Sequence, residues 1–537
     1  MKKRPKSGGG RHWRSSRISW LALRICLSGC AMPALGHAGP APAPAFVPER
    51  HEVVVGAAER LTVLTGFLSN GPVADLAALH IDGDGDRRLR IFSFLDGDWS
   101  PAVEAALRRD VAFVDVAKID GRDRLVAYGG GRLTWFDPVS GEERELVVVT
   151  SDFKASPRRE VLHVDITRDL NGDGRDDLAV PHGHGFQVLI QASGGQVNGD
   201  TFSEPLTIGP STGLDRVYGA DGYRYTPWEE GGRIHQMDYD LDGRDDLVFW
   251  NGDHFVAHLQ NARGLFGREA ATFTTGIAFD SDQIASLAAP EGIRRRRLDH
   301  MPEGERTGRV LHSLTDMNGD GVADLVVFSL KGSSLWKMHS SYEVHFGAAA
   351  PGSGTEFSPE VGAVVESRGI IAGVDRHDFD RDGQVDLVLT SFEPTVWSAA
   401  RVLIMSIFTG AGSFDLEFFR MEDGRYGRRP AAVREIRPRS PRKTGERTFW
   451  PAVLLGDVNG DGRSDAVIAR NRKTLHVHLG APAPDLFAKR PRRIATPVPE
   501  DEEYTWLADL NGDGTQDVLM HHAAVPAAQR VTVLMSR

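Results

Sequence analysis

Acidic residues recur at a fixed spacing in six short segments of the chain, and this spacing is that of a cation site. The segments span residues 169–177, 238–246, 316–324, 378–386, 457–465 and 509–517. Positions one, three, five and nine are Asp or Asn in every copy, and position six is always Gly. Ca2+ takes six to eight oxygen ligands, and Gly permits the backbone angles of a sharply curled loop. The pattern therefore predicts Ca2+ as a cofactor bound in each loop.

Five positions of each loop are the candidate metal ligands. Position one is Asp169, Asp238, Asp316, Asp378, Asp457 and Asp509. Position three is Asn171, Asp240, Asn318, Asp380, Asn459 and Asn511. Position five is Asp173, Asp242, Asp320, Asp382, Asp461 and Asp513, and position nine is Asp177, Asp246, Asp324, Asp386, Asp465 and Asp517. Position seven varies as Arg175, Arg244, Val322, Gln384, Arg463 and Thr515. Because that side chain varies while its neighbours do not, we expect position seven to offer its backbone carbonyl.

The residues that follow each loop are short apolar runs, as in 325-LVVF-328 and 466-AVI-468. Such runs indicate strands. An EF-hand loop has twelve residues and lies between two helices, so these loops are predicted to join two strands instead. Dockerin-type helical calcium repeats are excluded for the same reason. Position two is apolar in all six copies, and we expect it to anchor each loop to the core; it is Leu170, Tyr239, Met317, Phe379, Val458 and Leu510.

Two further segments read as degraded copies of the loop. In both, an arginine replaces the ninth ligand: Arg88 in residues 80–89 and Arg124 in residues 116–125. Fewer acidic residues remain at their other positions. We expect neither segment to bind calcium, and each arginine to pair with a remaining Asp of its own loop.

The six loops and the two degraded copies together indicate eight hairpins, and the spacing of the loops predicts how these hairpins are arranged. First positions of consecutive intact loops lie between 52 (509−457) and 79 (457−378) residues apart, which suits a four-stranded sheet with variable outer loops. Eight such sheets bury both faces only when they stack radially around an axis. We therefore predict an all-β fold, a β-propeller with eight blades, with seven as the alternative. Residues 52–55 or 61–64 could pair with residues 531–534 and close the ring, which removes the free edges.

Gly-containing turns accompany the loops and carry a resemblance to a known family. They are Phe346-Gly347, 410-GAGSF-414 and Gly480. The chain resembles the FG-GAP/VCBS repeat proteins, which include the integrin α-subunit propeller and its bacterial relatives. The resemblance covers residues 160–537 and is weaker over 51–159. It implies a seven- or eight-bladed propeller with calcium in the first hairpin of several blades.

The N-terminus has the order of a signal peptide, which we assign to residues 1–29. A basic stretch precedes 18-ISWLALRICL-27, which is too short to span a bilayer comfortably, and small residues follow. The segment ending at Cys30 resembles the lipobox of bacterial lipoproteins, which implies a lipid on that cysteine. Cleavage after Ala38 is the alternative. Residues 30–50 form a Pro/Ala-rich linker and residues 51–537 the propeller. We expect an exported protein that is periplasmic, anchored to the outer membrane or extracellular.

Charge and cysteine content limit the partners. The net charge is -11, and it is more negative without the basic N-terminus. Such a field disfavours nucleic acid and anionic membranes, so the only membrane attachment we expect is the lipid on Cys30. The chain contains 2 cysteines, Cys26 and Cys30, which excludes a disulfide framework in the body of the protein. Two basic stretches, 294–297 and 425–447, are predicted surface insertions between blades.

No nucleophile elbow, zincin, P-loop or Rossmann fingerprint occurs in the sequence, and we expect no enzyme activity. Histidine pairs such as His476 and His478 have no evident third ligand. The predicted function is a non-catalytic binding or adhesion module for a protein or glycan partner. The alternatives are a lectin-like propeller with exposed Trp or Tyr at matching blade positions, and a polysaccharide hydrolase or lyase built on the ring. The tryptophans in question, for which we prefer a core role, are Trp228, Trp336, Trp397, Trp450 and Trp506.

Overall fold

The computed structural model describes most of the chain after the N-terminal segment. The described residues are 46–56, 61–69, 71–155, 161–192, 201–210, 224–225, 234–279, 308–331, 339–350, 354–367, 370–392, 414–437, 449, 451–482, 485–523 and 529–536. Their regular structure is almost entirely strand, with one short 3-10 helix at Glu502–Tyr504. Among the described residues, no helix combines the length and the apolar character that spanning a membrane requires.

Eight small antiparallel sheets arranged in a ring form an eight-bladed β-propeller, which confirms the predicted fold and blade number. We number the blades along the chain and their strands from the axis outwards. Blade 1 is Thr62–Gly66, Asp75–Ile81, Arg87–Leu95 and Asp98–Leu107. Blade 2 is Val111–Ile119, Arg122–Gly129, Arg132–Asp137 and Glu142–Val148. Blade 3 is Thr167–Arg168, Asp177–His182, Gly185–Leu189 and Leu206–Ile208. Blade 4 is His235–Met237, Asp246–Trp250, Phe255–His258 and Ala271–Phe273.

The second half of the ring follows the same plan. Blade 5 is Gly308–Thr315, Asp324–Lys331, His339–His345 and Ala363–Ser367. Blade 6 is Ile370–His377, Asp386–Phe392, Phe414–Phe419 and Ala432–Ile436. Blade 7 is Val453–Gly456, Asp465–Asn471, Thr474–His478 and Arg492–Ala495, and blade 8 is Thr505–Ala508, Asp517–His522, Gln529–Met535 and Glu49–Gly56. Small hairpins, Gly347–Ala350 with Gly354–Phe357 and Met421–Glu422 with Arg425–Tyr426, follow the third strands of blades 5 and 6. Two further strands, Leu162–Val164 and Arg224–Tyr225, extend blade 2 on its inner side by parallel pairing.

The N-terminal strand closes the ring. Residues Glu49–Gly56 pair antiparallel with Gln529–Met535, so the outermost strand of blade 8 comes from the other end of the chain. This confirms the first of the two closing segments predicted from sequence, residues 52–55. The other, residues 61–64, lies largely in the first strand of blade 1. Ring closure begins at Glu49 and so lies partly within the predicted linker.

Each of the six Asp-Gly loops joins the first and second strands of one blade, in blades 3 to 8. The ninth residue always begins the second strand and pairs with the last residue of the first, for example Thr315 with Asp324. Because the strands of a blade alternate in direction, all six loops lie on one face of the ring, which we call the loop face. The predicted strand–loop–strand arrangement is therefore confirmed.

The core lies between neighbouring blades, where the apolar faces of the sheets meet. The apolar side chain at position two of each loop enters this core, as predicted: Leu170, Met317, Val458 and Leu510 are fully buried. Phe379 and Tyr239 are 2% and 9% exposed. Met317 of blade 5, for example, packs in one cluster with Leu389, Met421 and Tyr426 of blade 6. Each loop is thus fixed to the interface between two blades.

Candidate metal-binding loops

The carboxylate at position one organises each loop. In blade 7, Asp457 Oδ1 accepts the backbone N–H groups of Gly460 at 2.7 Å and Asp461 at 3.2 Å, and Oδ2 accepts that of Gly462 at 2.7 Å. The bond from the position-six N–H to Oδ2 recurs in all six loops at 2.7 to 3.0 Å. The backbone therefore curls around this carboxylate, which accepts N–H groups of the loop that have no partner in a strand.

Two positions of each loop require a left-handed backbone. The glycines at position six have φ between 80 and 87 degrees, which confirms the reason predicted for them. Position four also has positive φ, a requirement that the sequence analysis missed. Four loops have Gly at this position, but blades 4 and 6 have Leu241 and Arg381, with φ of 62 and 60 degrees. Non-glycine residues are disfavoured in this region, so these two loops carry local strain.

Carboxylate oxygens converge in the two loops that have Asp at position three. One oxygen from each of Asp238, Asp240 and Asp246 lies within 4.8 Å of the others, and the same holds for Asp378, Asp380 and Asp382. In the remaining loops position three is Asn, which offers a carboxamide oxygen. The side-chain donors are oxygens that belong to carboxylates and carboxamides, the donor set that suits Ca2+. The residues present therefore fit the predicted ion.

One carboxylate oxygen of the Asp at position five already accepts a backbone hydrogen bond within the loop. Its Oδ1 accepts the N–H of position seven in all six loops, at 2.7 to 3.1 Å. Among the described residues, its Oδ2 has only side-chain donors, such as the position-three Asn Nδ2 in blades 3, 5 and 8, and is the oxygen that would face a cation. The predicted ligand role of the position-seven carbonyl stays a prediction.

The ninth Asp is buried and holds two parts of its blade together. It is 0 or 1% exposed in all six loops. In blade 5, Asp324 Oδ2 accepts the N–H of Met317 in the loop at 2.8 Å, and Oδ1 accepts that of Gly347, beyond the third strand, at 2.9 Å. We call this pair of hydrogen bonds the carboxylate clasp. It recurs in the other five blades, with Gln191, Gln260, Met421, Gly480 and Ser536 in the place of Gly347.

The clasp explains two glycines that carried the family resemblance. A Cβ at Gly347 would lie 2.1 Å from the carbonyl oxygen of Ala323, and one at Gly480 would lie 2.8 Å from that of Ser464. Both glycines therefore allow the backbone to approach the second strand closely enough to donate to the ninth Asp.

Burial dominates the electrostatics of the ninth position. It raises the pKa of Asp177, Asp386 and Asp465 to about 7 and that of Asp246, Asp324 and Asp517 to about 6. The two backbone N–H donors act in the opposite direction, and the carboxylates at positions such as one and five raise the pKa further. A buried carboxylate beside other carboxylates favours a proton or a cation as its neutralising partner.

The loop face is also where the blades are joined. A hydrogen bond crosses each of the eight blade boundaries next to a loop, with donor–acceptor distances of 2.6 to 3.5 Å. Most of the acceptors are backbone carbonyls of the loops themselves. The bonds run from Ala74 to Leu510, Phe67 to Asp123, Gln191 to Lys118, Gln260 to Asn171, Thr355 to Tyr239, Val385 to Met317, Ser464 to Phe379 and Gln516 to Asp457. A change in loop shape therefore acts on a blade interface as well as on one blade.

The structure changes the interpretation of the two degraded copies. Residues 80–89 connect the second and third strands of blade 1 and lie on the face opposite the loops. The equivalent segment of blade 1 is residues 67–75, where Gly66 pairs with Asp75 across the same nine-residue step. Asp75 is fully buried and accepts the N–H and the hydroxyl of Ser69, a local version of the clasp. The sequence contains a signal for this segment that the prediction did not use: residues 73–76 have the same sequence, VADL, as residues 322–325.

The two arginines of these segments behave differently. Arg88 pairs with Asp82 at 2.8 Å, as expected. Arg124 instead lies over the ring of Trp135, 3.8 Å from its centroid. In blade 2 the whole loop is reduced to Asp120 and Gly121, both with positive φ, a two-residue hairpin turn. A cation–π contact therefore stands where the other blades have an acidic ninth residue.

The remaining sequence candidates do not form a further site in the described residues. His182 and His184 have ring centroids 5.6 Å apart, and His476 and His478 6.4 Å; within the described residues, metal-ligand clusters of three involve only Asp. Trp506 packs against the core as preferred, and the other four tryptophans lie outside the described residues.

The basic stretch at 425–447 is not the single insertion that the sequence analysis predicted. Its first half contains part of a hairpin and the outer strand of blade 6. Residues 294–297 lie outside the described part of the chain.

Comparisons with known proteins find similarity to this chain among solved structures. No family model and no curated protein matches the sequence. Solved structures with similarity include the Dos1 propeller (8% identity, 92% of this chain and 96% of that one, TM-score 0.37). Others are Sqt1 of Saccharomyces cerevisiae (9% identity, 92% and 100%, TM-score 0.37) and the V. cholerae biofilm matrix protein Bap1 (12% identity, 94% and 90%, TM-score 0.26). Similarity at this level supports no inference about partners or activity.

Proposed function

We propose that this chain is a calcium-stabilised propeller that acts outside the cytoplasm as a non-catalytic binding module for a protein or glycan partner. The observation that carries the metal proposal is the sixfold recurrence of one oxygen-lined loop, in which each copy is fixed to its own third strand and lies beside a bond to a neighbouring blade. Ca2+ is held by positions one, three, five and nine, and by the carbonyl of position seven.

The charge balance of the loops supports a bound cation. Two carboxylates 4.8 Å apart, the separation limit in the loops of blades 4 and 6, repel each other by roughly 3 kcal/mol at an effective dielectric constant of about 20. Each of these loops has four acidic residues at its ligand positions. A divalent ion removes this repulsion, and because the loops lie at blade boundaries it stabilises the interfaces too.

The face opposite the loops supports the binding role. Each blade's second strand ends there, each third strand begins there, and the chain leaves each fourth strand there for the next blade. The long connections 209–234, 274–307, 393–413 and 437–452 all start and end at strand ends on that face. Long connections on a rigid scaffold frequently carry binding residues. We therefore place partner recognition on this face and structural calcium on the other.

Thermal unfolding of the purified exported chain tests the metal. With Ca2+ at about 100 times Kd, each occupied site contributes about 2.7 kcal/mol to the free energy of unfolding, so chelation lowers the Tm markedly. K+ at equal ionic strength serves as the control for screening. An identical Tm with Ca2+ and with chelator contradicts the metal proposal.

A second experiment tests the binding role. The exported chain is used as bait for envelope extract and on a glycan array, each with Ca2+ and with chelator. A specific protein or glycan partner that requires the folded ring supports the proposal. Turnover of a polysaccharide by the purified chain would contradict the non-catalytic assignment. Radiolabelled fatty acid on the wild type, and none on Cys30→Ala, tests the lipid anchor.

A further inference from the structure

Three of the six loops contain an arginine at position seven that contacts a predicted calcium ligand. Arg175, Arg244 and Arg463 stand at position seven in blades 3, 4 and 7. Each guanidinium forms an ion pair with Oδ2 of the carboxylate at position five in its own loop, as Arg463 does with Asp461 at 3.2 Å. The same two positions are paired each time, so the contact is a property of the loop and not of one blade.

The oxygen that these arginines contact is the one that a cation needs. Oδ1 of the position-five carboxylate accepts the N–H of position seven, at 3.0 Å in blade 3 and 3.1 Å in blade 4. Oδ2 is therefore the oxygen that no loop backbone N–H occupies, although in blade 3 it also accepts Asn171 Nδ2 at 3.0 Å. The guanidinium and Ca2+ compete for one atom, and the two positive charges repel each other if both are close.

Additional contacts hold the guanidinium in place. Arg175 Nη2 lies 3.4 Å from the carbonyl oxygen of Gln191, and Arg244 Nε donates to that of Gln260 at 3.2 Å. Gln191 and Gln260 are the clasp residues of their blades. The arginine thus links position five to the same point beyond the third strand that the ninth Asp binds.

The other three loops have no arginine at position seven, although in blade 6 Arg420 forms an ion pair with Asp380 Oδ2 at position three. Position seven is Val322, Gln384 and Thr515 in blades 5, 6 and 8. Gln384 shows the neutral counterpart of the contact, because its Nε2 donates to Asp382 Oδ2 at 3.1 Å. Within the described residues, an arginine therefore pairs with position five in blades 3, 4 and 7 and with position three in blade 6, whereas the loops of blades 5 and 8 show neither ion pair.

We propose that the position-seven arginines are internal counter-ions that lower the calcium affinity of their own loops. Without Ca2+, they neutralise part of the loop charge and keep the loops of blades 3, 4 and 7 in shape. With Ca2+, they must release the position-five carboxylate, so each of these three loops binds Ca2+ more weakly than it would with a neutral residue at position seven. The inference rests on the proposed calcium role and specifies its regulation: each arginine raises the calcium concentration at which its loop fills.

The test removes the charge and keeps a hydrogen-bond donor. The variant R175Q/R244Q/R463Q imitates the loop of blade 6, and Q384R makes the reverse change there. The control variant R90Q/R132Q/R493Q loses the same net charge in blades 1, 2 and 7, away from the six loops. Calcium binding is measured on the exported chain by titration against a chromophoric chelator, and the Tm is measured with and without Ca2+.

The triple variant is expected to be less stable than the wild type in chelator and to bind Ca2+ more tightly. An exposed ion pair is worth up to about a fivefold change in an equilibrium constant, so the triple variant binds three of its ions up to about fivefold more tightly. Its Tm in chelator falls, while its calcium-induced rise in Tm grows. Q384R weakens one site, and the control variant leaves the calcium affinities unchanged.

Three outcomes separate the proposals. If the wild type shows no calcium-dependent Tm, the proposed calcium role fails, whatever the variants do. If the wild type responds to calcium but the triple variant has unchanged affinity, only the counter-ion proposal is wrong. A Tm loss of equal size in both conditions also overturns it, because that is the result of a purely structural arginine.

Discussion

The ninth Asp has two roles in the proposal, as a clasp and as a calcium ligand, and one pair of substitutions separates them. Asp324 of blade 5 accepts two backbone N–H groups and stands in an acidic loop. Asp75 of blade 1 accepts two donors from Ser69 but has no acidic residue at positions one, three or five of its segment. We expect calcium to increase the destabilisation caused by Asp324→Asn and to leave that caused by Asp75→Asn unchanged.

The magnitudes follow from the contacts. An Asn side chain has one acceptor oxygen, so either substitution leaves one donor without its partner, at a cost of about 1–3 kcal/mol. For Asp324 this cost is offset in chelator, because burial raises its pKa from 3.8 to about 6. That shift makes the charged form less favourable in the native state by roughly 3 kcal/mol at neutral pH. The neutral Asn therefore leaves the calcium-free stability within about 2 kcal/mol of the wild type.

Calcium reverses the comparison for Asp324 alone. Loss of its site removes up to about 2.7 kcal/mol of stabilisation at 100 times Kd, so D324N falls further below the wild type when Ca2+ is added. D75N loses its about 1–3 kcal/mol in both conditions. Urea denaturation at pH 7.5, with Ca2+ and with chelator, measures the four differences. Equal destabilisation of D324N in both conditions would show that the ninth Asp is only a clasp and would refute the ligand assignment.

Two further predictions concern strain and pH. Leu241→Gly relieves the left-handed strain at position four of blade 4 (φ 62 degrees) and raises the free energy of unfolding by about 1 kcal/mol. Gly243→Ala, at φ 87 degrees with open space around the added Cβ, lowers the free energy of unfolding by a similar amount. Unchanged urea midpoints for both variants would contradict the strain argument. His521 is 3% exposed, and burial lowers its pKa from 6.5 to about 4, so below pH 6.5 the unfolded chain takes up the proton first. Stability from the neutral ring is complete above pH 6.5 and is lost as the pH falls towards 4, by roughly 3 kcal/mol in total. The stability of His521→Gln relative to the wild type therefore rises by about 2 kcal/mol between pH 7 and pH 5, and a pH-independent difference would refute the assignment.

Local sequence patterns were enough for the architecture. The nine-residue step, the apolar run after it and the glycine at position six predicted a strand–loop–strand unit, because turn chemistry and strand alternation are properties of neighbouring residues. Counting these units predicted eight blades, and the apolar residues near the N-terminus predicted the closing strand. The one miscount was local as well: residues 80–89 resembled a loop more than 67–75 did, since Asp75 is the only acidic residue that blade 1 retains there.

The tertiary structure decided what the loop residues contact. Asp324 meets Gly347 across 23 residues, and Gln260 of blade 4 meets the carbonyl of Asn171 in blade 3 across 89. Sequence spacing does not specify such partners, because each depends on how the third strand returns past the second and how one blade packs on the next. The same holds for Arg124, which was expected to pair with an Asp and instead lies on Trp135. The sequence by itself thus determined where a cation could be held and how many blades repeat the acidic loop. The packing of neighbouring blades determined that each loop also takes part in a hydrogen bond across a blade boundary.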